Sequence, residues 1–91
     1  MYSLYREDGS GDSGGFSLLI WEEDGEIKTE HNAEPRVGTC IRVGSNYART
    51  MQYQDWWQTS YIQEILEREE DENSLFVKFR TKNSIYVWKA F

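Results

Sequence analysis

Short apolar and aromatic runs of strand length, set off by glycine-rich, charged or proline-marked breaks, recur along this chain. Tyr2 to Arg6 is a short aromatic run that predicts a strand. Phe16-Ser17-Leu18-Leu19-Ile20-Trp21 is apolar on both faces of an extended backbone and predicts a buried strand. Glu22 to Gly25 predicts a turn, with Gly25 supplying the positive φ that tight hairpins need. Glu26-Ile27-Lys28-Thr29-Glu30 then reads as a polar return strand at a sheet edge, where charge discourages aggregation. Val37, Thr39, Ile41 and Val43 share one face of a further strand. Leu75 to Arg80 and Ser84 to Lys89 predict two closing strands about a turn at Lys82-Asn83, with Val77 and Phe79 pointing inward.

Other segments are less regular. Gly9 to Gly15 is rich in glycine and reads as a loop. Pro35 separates the N-terminal region from the rest. Gly44 to Trp57 reads as a long irregular stretch, of the kind that is functional or internally packed in small domains. The segment near Ser60–Glu69 admits two readings. Ser60 with Gln63 fits a helical capping box, and Ile62, Ile65 and Leu66 would share a helical face. The β-type segments on both sides favour a strand, so a short helix is the alternative.

Length and composition bound the answer. At 91 residues the chain is one domain, 1–91. Four Trp, six Tyr and four Phe let so short a chain fill a core, because each large ring buries roughly 150–250 Å². The single cysteine, Cys40, allows no intrachain disulfide and suggests a reducing, cytoplasmic setting. Met1 to Asp8 does not read as a signal peptide. No apolar run approaches the roughly 18–20 residues of a membrane span, so no membrane partner is expected.

Charge changes the picture more than composition does. The net charge is −6, but residues 1–34 carry −7, 35–63 carry +2, 64–72 carry −5 and 73–91 carry +4. Such blocks make a two-faced molecule if they separate in space, and a merely soluble one if they do not.

Candidate catalytic chemistry is thin. Gly11-Asp12-Ser13-Gly14-Gly15 matches the box around the nucleophile of trypsin-like serine proteases. That chemistry needs a positioned His base, a buried Asp and an oxyanion hole on a much larger scaffold. The only histidine, His31, follows Ser13, in the wrong order for that family. No Gly-Lys-Ser/Thr phosphate loop is present, and one His with one Cys cannot build the usual zinc site. No cofactor, metal or enzymatic activity is expected. Cys40 reads as a small buried thiol, although Arg42 on the same strand face could lower its pKa.

Two groups of residues suggest binding. Asp55-Trp56-Trp57-Gln58 places two adjacent indoles on opposite sides of an extended chain, so one can fill the core while the other stays at the surface. Tyr47, Arg49 and Tyr53 precede the pair, and Trp, Tyr and Arg dominate interface hot spots. Either a binding patch or a second small hydrophobic cluster explains them. Lys78, Arg80 and Lys82 would line one strand face; with Tyr86 they outline a nucleic-acid surface. The same cations could instead pair with the acids of residues 64–72 across the preceding turn.

The run from Val37 to Trp88 resembles a small SH3-like barrel. Val37–Val43 resembles its opening strand, the stretch to Trp57 its elongated first loop, and Tyr61–Glu67, Leu75–Thr81 and Ser84–Lys89 its closing meander. In style the chain is also similar to small acidic proteins of tailed phages, which often act by occluding a host protein such as a defence nuclease. The expected fold is therefore all-β: a barrel-like core over 35–91, or a strongly bent antiparallel sheet, extended by an N-terminal hairpin layer over 1–31.

The expected function is non-enzymatic binding, as an inhibitor or adaptor on a basic protein surface in the cytoplasm (the host's, if phage-encoded). Glu69, Glu70, Asp71 and Glu72 would steer and Trp57 would anchor, with Tyr47, Arg49 and Trp56 beside it. The alternatives are a nucleic-acid module using Lys78, Arg80, Lys82 and Tyr86, or a structural assembly component.

Overall fold

A computed structural model describes residues 1–44 and 56–91. These residues form nine strands and no helix. They are β1 (Tyr2–Arg6), β2 (Gly11–Gly14), β3 (Phe16–Glu23), β4 (Glu26–His31), β5 (Cys40–Gly44), β6 (Trp56–Gln58), β7 (Ile62–Glu70), β8 (Leu75–Thr81) and β9 (Ile85–Ala90). The fold is all-β, as the alternation implies. The Ser60–Glu69 segment is extended, so the helical alternative is corrected: Ile62 and Ile65 face the core through β7 pairing with Thr81 and Phe79.

Two antiparallel sheets pack as a small barrel-like globule. One has five strands in the order β2-β1-β9-β8-β7, and the other has four in the order β4-β3-β5-β6. We call them sheet A and sheet B. The chain passes from A to B through Gly15 alone. At another corner, Gly38 N–H donates to Ile62 O (2.9 Å) and Ile62 N–H to Thr39 O (2.8 Å), tying the approach to β5 to the start of β7. The region 1–31, expected as one hairpin layer, is two hairpins: β1–β2 continues sheet A beside β9, and β3–β4 continues sheet B beside β5.

Two local expectations change, at Gly11–Gly14 and at Val37, and one, the turn at Gly25, holds. The glycine-rich stretch is not a loop throughout; Gly11–Gly14 is edge strand β2, paired with β1. A Cβ at Gly11 would stand 2.0 Å from Leu4 O, so glycine is what lets these two backbones approach. The tight turn of β3–β4 is Asp24-Gly25, with φ 53° and 78°, the left-handed pair that a two-residue hairpin takes. Val37 precedes the strand and is 60% exposed, because Gly38 at φ 87° turns the chain before Thr39, Ile41 and Val43 face inward.

The core lies between the sheets. Leu4, Ile62, Val77, Phe79, Tyr86 and Trp88 of sheet A meet Leu19, Ile41 and Val43 of sheet B. Trp88 sits at its centre, 1% exposed, with its indole N–H donating to Ser17 Oγ at 3.0 Å. That bond explains a serine inside the apolar run of β3, since each buried polar group satisfies the other. The segment after β4 closes one end: Asn32 N–H donates to Ser17 O (2.8 Å), Tyr2 OH to Asn32 Oδ1 (3.1 Å), and Arg68 grips Glu34 at 2.7 Å.

Candidate partner-binding surfaces

Strand register decides which side chains reach each outer face. In sheet B, Ser17, Leu19, Ile41 and Val43 point inward, so Phe16, Leu18, Ile20, Cys40, Arg42 and Gly44 point outward. Trp57 lies opposite inward Val43, and Trp56 opposite outward Gly44. The sequence reading of one inner and one outer tryptophan holds, with Trp57 the inner one, packed against the core. Its indole N–H is buried with no hydrogen-bond partner among the described residues. The Arg6 guanidinium lies 5.8 Å from its ring. The outward position belongs to Trp56.

Trp56 carries a built contact. The Arg42 guanidinium lies 4.0 Å over its ring, and Nε and Nη2 of Arg42 donate to Gln58 Oε1 at 2.9 and 2.8 Å. The planar guanidinium is held flat by the Gln58 carbonyl and covers the indole face. Arg42 is thus engaged with Trp56 and Gln58, while burial pushes the Cys40 thiol above its ordinary pKa. The expectation that Arg42 might lower that pKa is corrected by this direction.

The rest of this outer face is nearly free of charge. Across β4, Thr29 lies opposite Ile20 and His31 opposite Leu18. Ile27, opposite Glu22, is 67% exposed. The run Phe16–Trp21, apolar on both sides in sequence, therefore has only its inner side covered by the core among the described residues. Along the β3–β4 hairpin stand exposed Glu22, Glu23, Asp24, Glu26 and Glu30. Lys28 answers Glu26 at 2.9 Å.

Sheet A presents a different outer face. Lys78 and Arg80 point outward from β8, while Val77, Phe79 and Thr81 are buried, as expected. Lys82 lies past the end of β8 in the exposed turn. Tyr86 is corrected: it is 6% exposed and stacked on Phe79 with ring centroids 5.5 Å apart, so it is a core residue. Its register partner Phe79 faces inward, which fixes its side. Tyr5, 42% exposed, and Phe76 supply aromatic surface instead. Lys89 Nζ lies 5.9 Å from the Phe76 ring.

The cations here have acidic neighbours. Glu64 pairs with Arg80 across β7–β8, their charged groups 3.6 Å apart, and Glu67 is the register partner of Lys78. Arg80 also donates to Gln63 Oε1 at 3.2 Å.

The steering acids are all exposed, but they differ in their engagements. Glu70 accepts from Arg68 at 3.0 Å, and the same guanidinium holds Glu34. Asp71 Oδ1 accepts the backbone N–H groups of Asn73 and Ser74, each at 2.9 Å, and these bonds hold its pKa below the usual carboxylate range. Asp71 is thus a turn-forming residue as well as a charge. Glu69 and Glu72 remain exposed. Tyr47, Arg49 and Tyr53 lie outside the described residues.

The remaining titratable cluster is structural in geometry. Arg6 Nε and Nη2 bond Asp8 Oδ2 at 3.1 and 2.7 Å, while Asp8 Oδ1 accepts from the Ser10 backbone N–H at 2.9 Å and from its hydroxyl. These bonds shape the β1–β2 turn and hold the Asp8 carboxyl well below its ordinary pKa. Ser13 has no histidine beside it: Asp12 caps its N–H at 2.8 Å, and it lies on β2 opposite Ser3. Among the described residues, no three His, Cys, Asp or Glu side chains converge as metal ligands. No helix among them is long and apolar enough to cross a membrane. Comparison with protein-family models, with curated protein sequences and with solved structures returned no match, so the residues alone carry the functional reading.

Proposed function

We propose that this chain is a non-catalytic binding protein, an inhibitor or adaptor, whose exposed acids meet a basic surface on a partner protein. The observation that carries the reading is placement. Eleven of the sixteen acids stand on two edge features: Glu22, Glu23, Asp24, Glu26 and Glu30 on β3–β4, and Glu64, Glu67, Glu69, Glu70, Asp71 and Glu72 on β7 and its turn. All eleven are exposed. Carboxylates repeated along an extended edge imitate a row of phosphates and suit the Lys/Arg groove of a nucleic-acid enzyme such as a nuclease. Acid on β-edges also prevents edge-to-edge aggregation. The binding reading therefore depends on a measured partner.

Immobilised chain should capture from a host lysate a basic protein that elutes as salt rises, because screening shortens to about 10 Å at 0.1 M. Joint Glu67→Lys, Glu69→Lys and Glu72→Lys substitution should abolish that capture. A complex indifferent to both salt and charge reversal removes the reading.

A second reading rests on sheet A, where Tyr5 and Phe76 lie among Lys78, Arg80 and Lys89 on one outer face. Aromatic rings among cations are the elements of a single-strand stacking platform. The acids of β7 opposite Arg80 and Lys78 weaken it. Gel shifts with single- and double-stranded DNA and RNA decide: binding lost on Lys78→Glu and Lys89→Glu would favour this reading over the first.

A further inference from the structure

The acids alone describe attraction without a seat. We infer that the outer face of sheet B is the docking seat, and that its occupant is an apolar patch on a partner protein flanked by lysines or arginines. This inference rests on the proposed binding function and adds the surface and the partner's chemistry.

The face begins with β3. Its outward residues Phe16, Leu18 and Ile20 are half-buried by their strand neighbours and have no covering layer among the described residues. Ile27 of β4 extends the apolar surface on one side and Trp56 of β6 on the other. Strands lie about 4.8 Å apart and residues rise about 3.3 Å along each. The four strands, of 8, 6, 5 and 3 residues, thus make a face of roughly 350 Å² with an apolar centre, in the range of a few hundred Å² where surface patches are often functional.

Three features select the occupant. Among the described residues the centre is apolar, and the Arg42 guanidinium lies 4.0 Å over the Trp56 ring. A half-buried Trp-Arg stack on a β-face has the composition of an interface anchor. The β3–β4 hairpin that borders the face is acidic among the described residues: Glu22 stands on the face and Asp24 at the turn, while Glu26 and Glu30, in register with Glu23 and Leu19, stand on the reverse side of the same edge with Lys28. An apolar centre with a charged rim is the usual anatomy of a protein interface. Here the bordering hairpin carries a net negative charge. A second copy would bring together two molecules that each carry a net charge of −6. A basic-rimmed partner gains from the same rim, so charge complementarity favours it over self-association.

The test uses the full chain, isotope-labelled for NMR, titrated with a peptide whose leucine block is flanked by lysines. A matched peptide flanked by glutamates is the control. The inference expects amide shifts centred on β3, β5 and β6, with Leu18, Ile20, Arg42 and Gln58 among them, and weaker binding of the glutamate-flanked peptide. Ile20→Lys should lower affinity for the lysine-flanked peptide about tenfold, the cost of one central apolar anchor. Trp56→Ala is the second variant, and Val87→Lys on the outer face of sheet A should leave affinity within about twofold. Dispersed amide spectra of each variant show that it is folded.

Equal binding of both peptides overturns the stated chemistry. Shifts confined to β7 and its turn overturn the docking seat while leaving the acid-driven function standing. Failure of the charge-reversal capture with shifts still on sheet B would remove the function reading instead. A concentration-dependent dimer that Ile20→Lys dissolves would show that the occupant is a second copy and overturn the inference.

Discussion

The outer faces of the two sheets are built from similar alternating strands, yet they present opposite chemistry. On sheet A, successive outward positions hold Tyr5, Val87, Lys78 and Glu67 along one row across the strands, and Arg80 reaches Glu64 at 3.6 Å in another. Sheet A's charges largely answer one another within the chain. On sheet B, the corresponding rows hold Leu18 beside Arg42, and Ile20 beside Cys40, while the acids gather along the hairpin. Its apolar centre has no counterpart in the described residues. A face whose charges are internally paired is suited to water; a face with an uncovered apolar centre and an unbalanced rim is suited to a partner.

This comparison can be broken first at what the faces share. Both depend on the core, where Trp88 contacts strands of either sheet and bonds Ser17. Trp88→Ala should cost about 3–5 kcal/mol in urea-induced unfolding, enough to threaten a domain of ordinary stability. Both outer faces would be lost together. A small change would mean that the two sheets are stabilised separately.

Gly11→Val should have the next largest effect. Its Cβ would collide with Leu4 O and the Tyr5 backbone, separating β2 from β1. We expect a loss of about 1–3 kcal/mol with sheet B intact. Equal amide exchange on β2 in mutant and wild type would contradict the close approach.

The outer faces themselves should respond less in stability and more in binding. Ile20→Lys and Val87→Lys each alter an outward position, so each should shift unfolding by only about 0.5–1 kcal/mol. Only Ile20→Lys should weaken capture of a partner. Similar losses from both would erase the distinction between the faces.

The smallest effect is in pH dependence. Asp8 and Asp71 have folded pKa values below their ordinary 3.8, so each contributes stability that is complete above that value. As pH falls below about 4, the unfolded chain takes up protons first and that contribution fades. Asp8→Asn should flatten the low-pH limb of a thermal-unfolding profile. An unchanged limb would show that the Arg6–Asp8–Ser10 cluster contributes little to stability.

Much of the fold is legible in the sequence because alternation is local. β1, β3, β4, β8 and β9 fall on short runs bounded by turn residues, and of these β8 alternates cleanly, with Val77 and Phe79 inward and Lys78 and Arg80 outward. Gly11–Gly14 was not readable as a strand, because glycine gives no alternation and its pairing depends on β1 approaching from elsewhere. Tyr86 was misplaced as an exposed aromatic because a tyrosine at a strand position is equally suited to either face; only its register against Phe79 decides. Of the expected binding residues, Trp56 and the acids of β7 reach the surface, while Trp57 turns to the core. The face that no described residue covers has its signal in the sequence: Phe16–Trp21 is apolar on both sides. Periodicity shows that both sides prefer to be buried and cannot say whether this chain buries both.

The most direct measurement is amide hydrogen exchange of the chain alone and in complex with the basic partner it captures. The account predicts protection on β3, β5 and β6 and along Glu22–Glu30, with strands β8 and β9 of sheet A unchanged. Protection confined to β8 and β9 would contradict it.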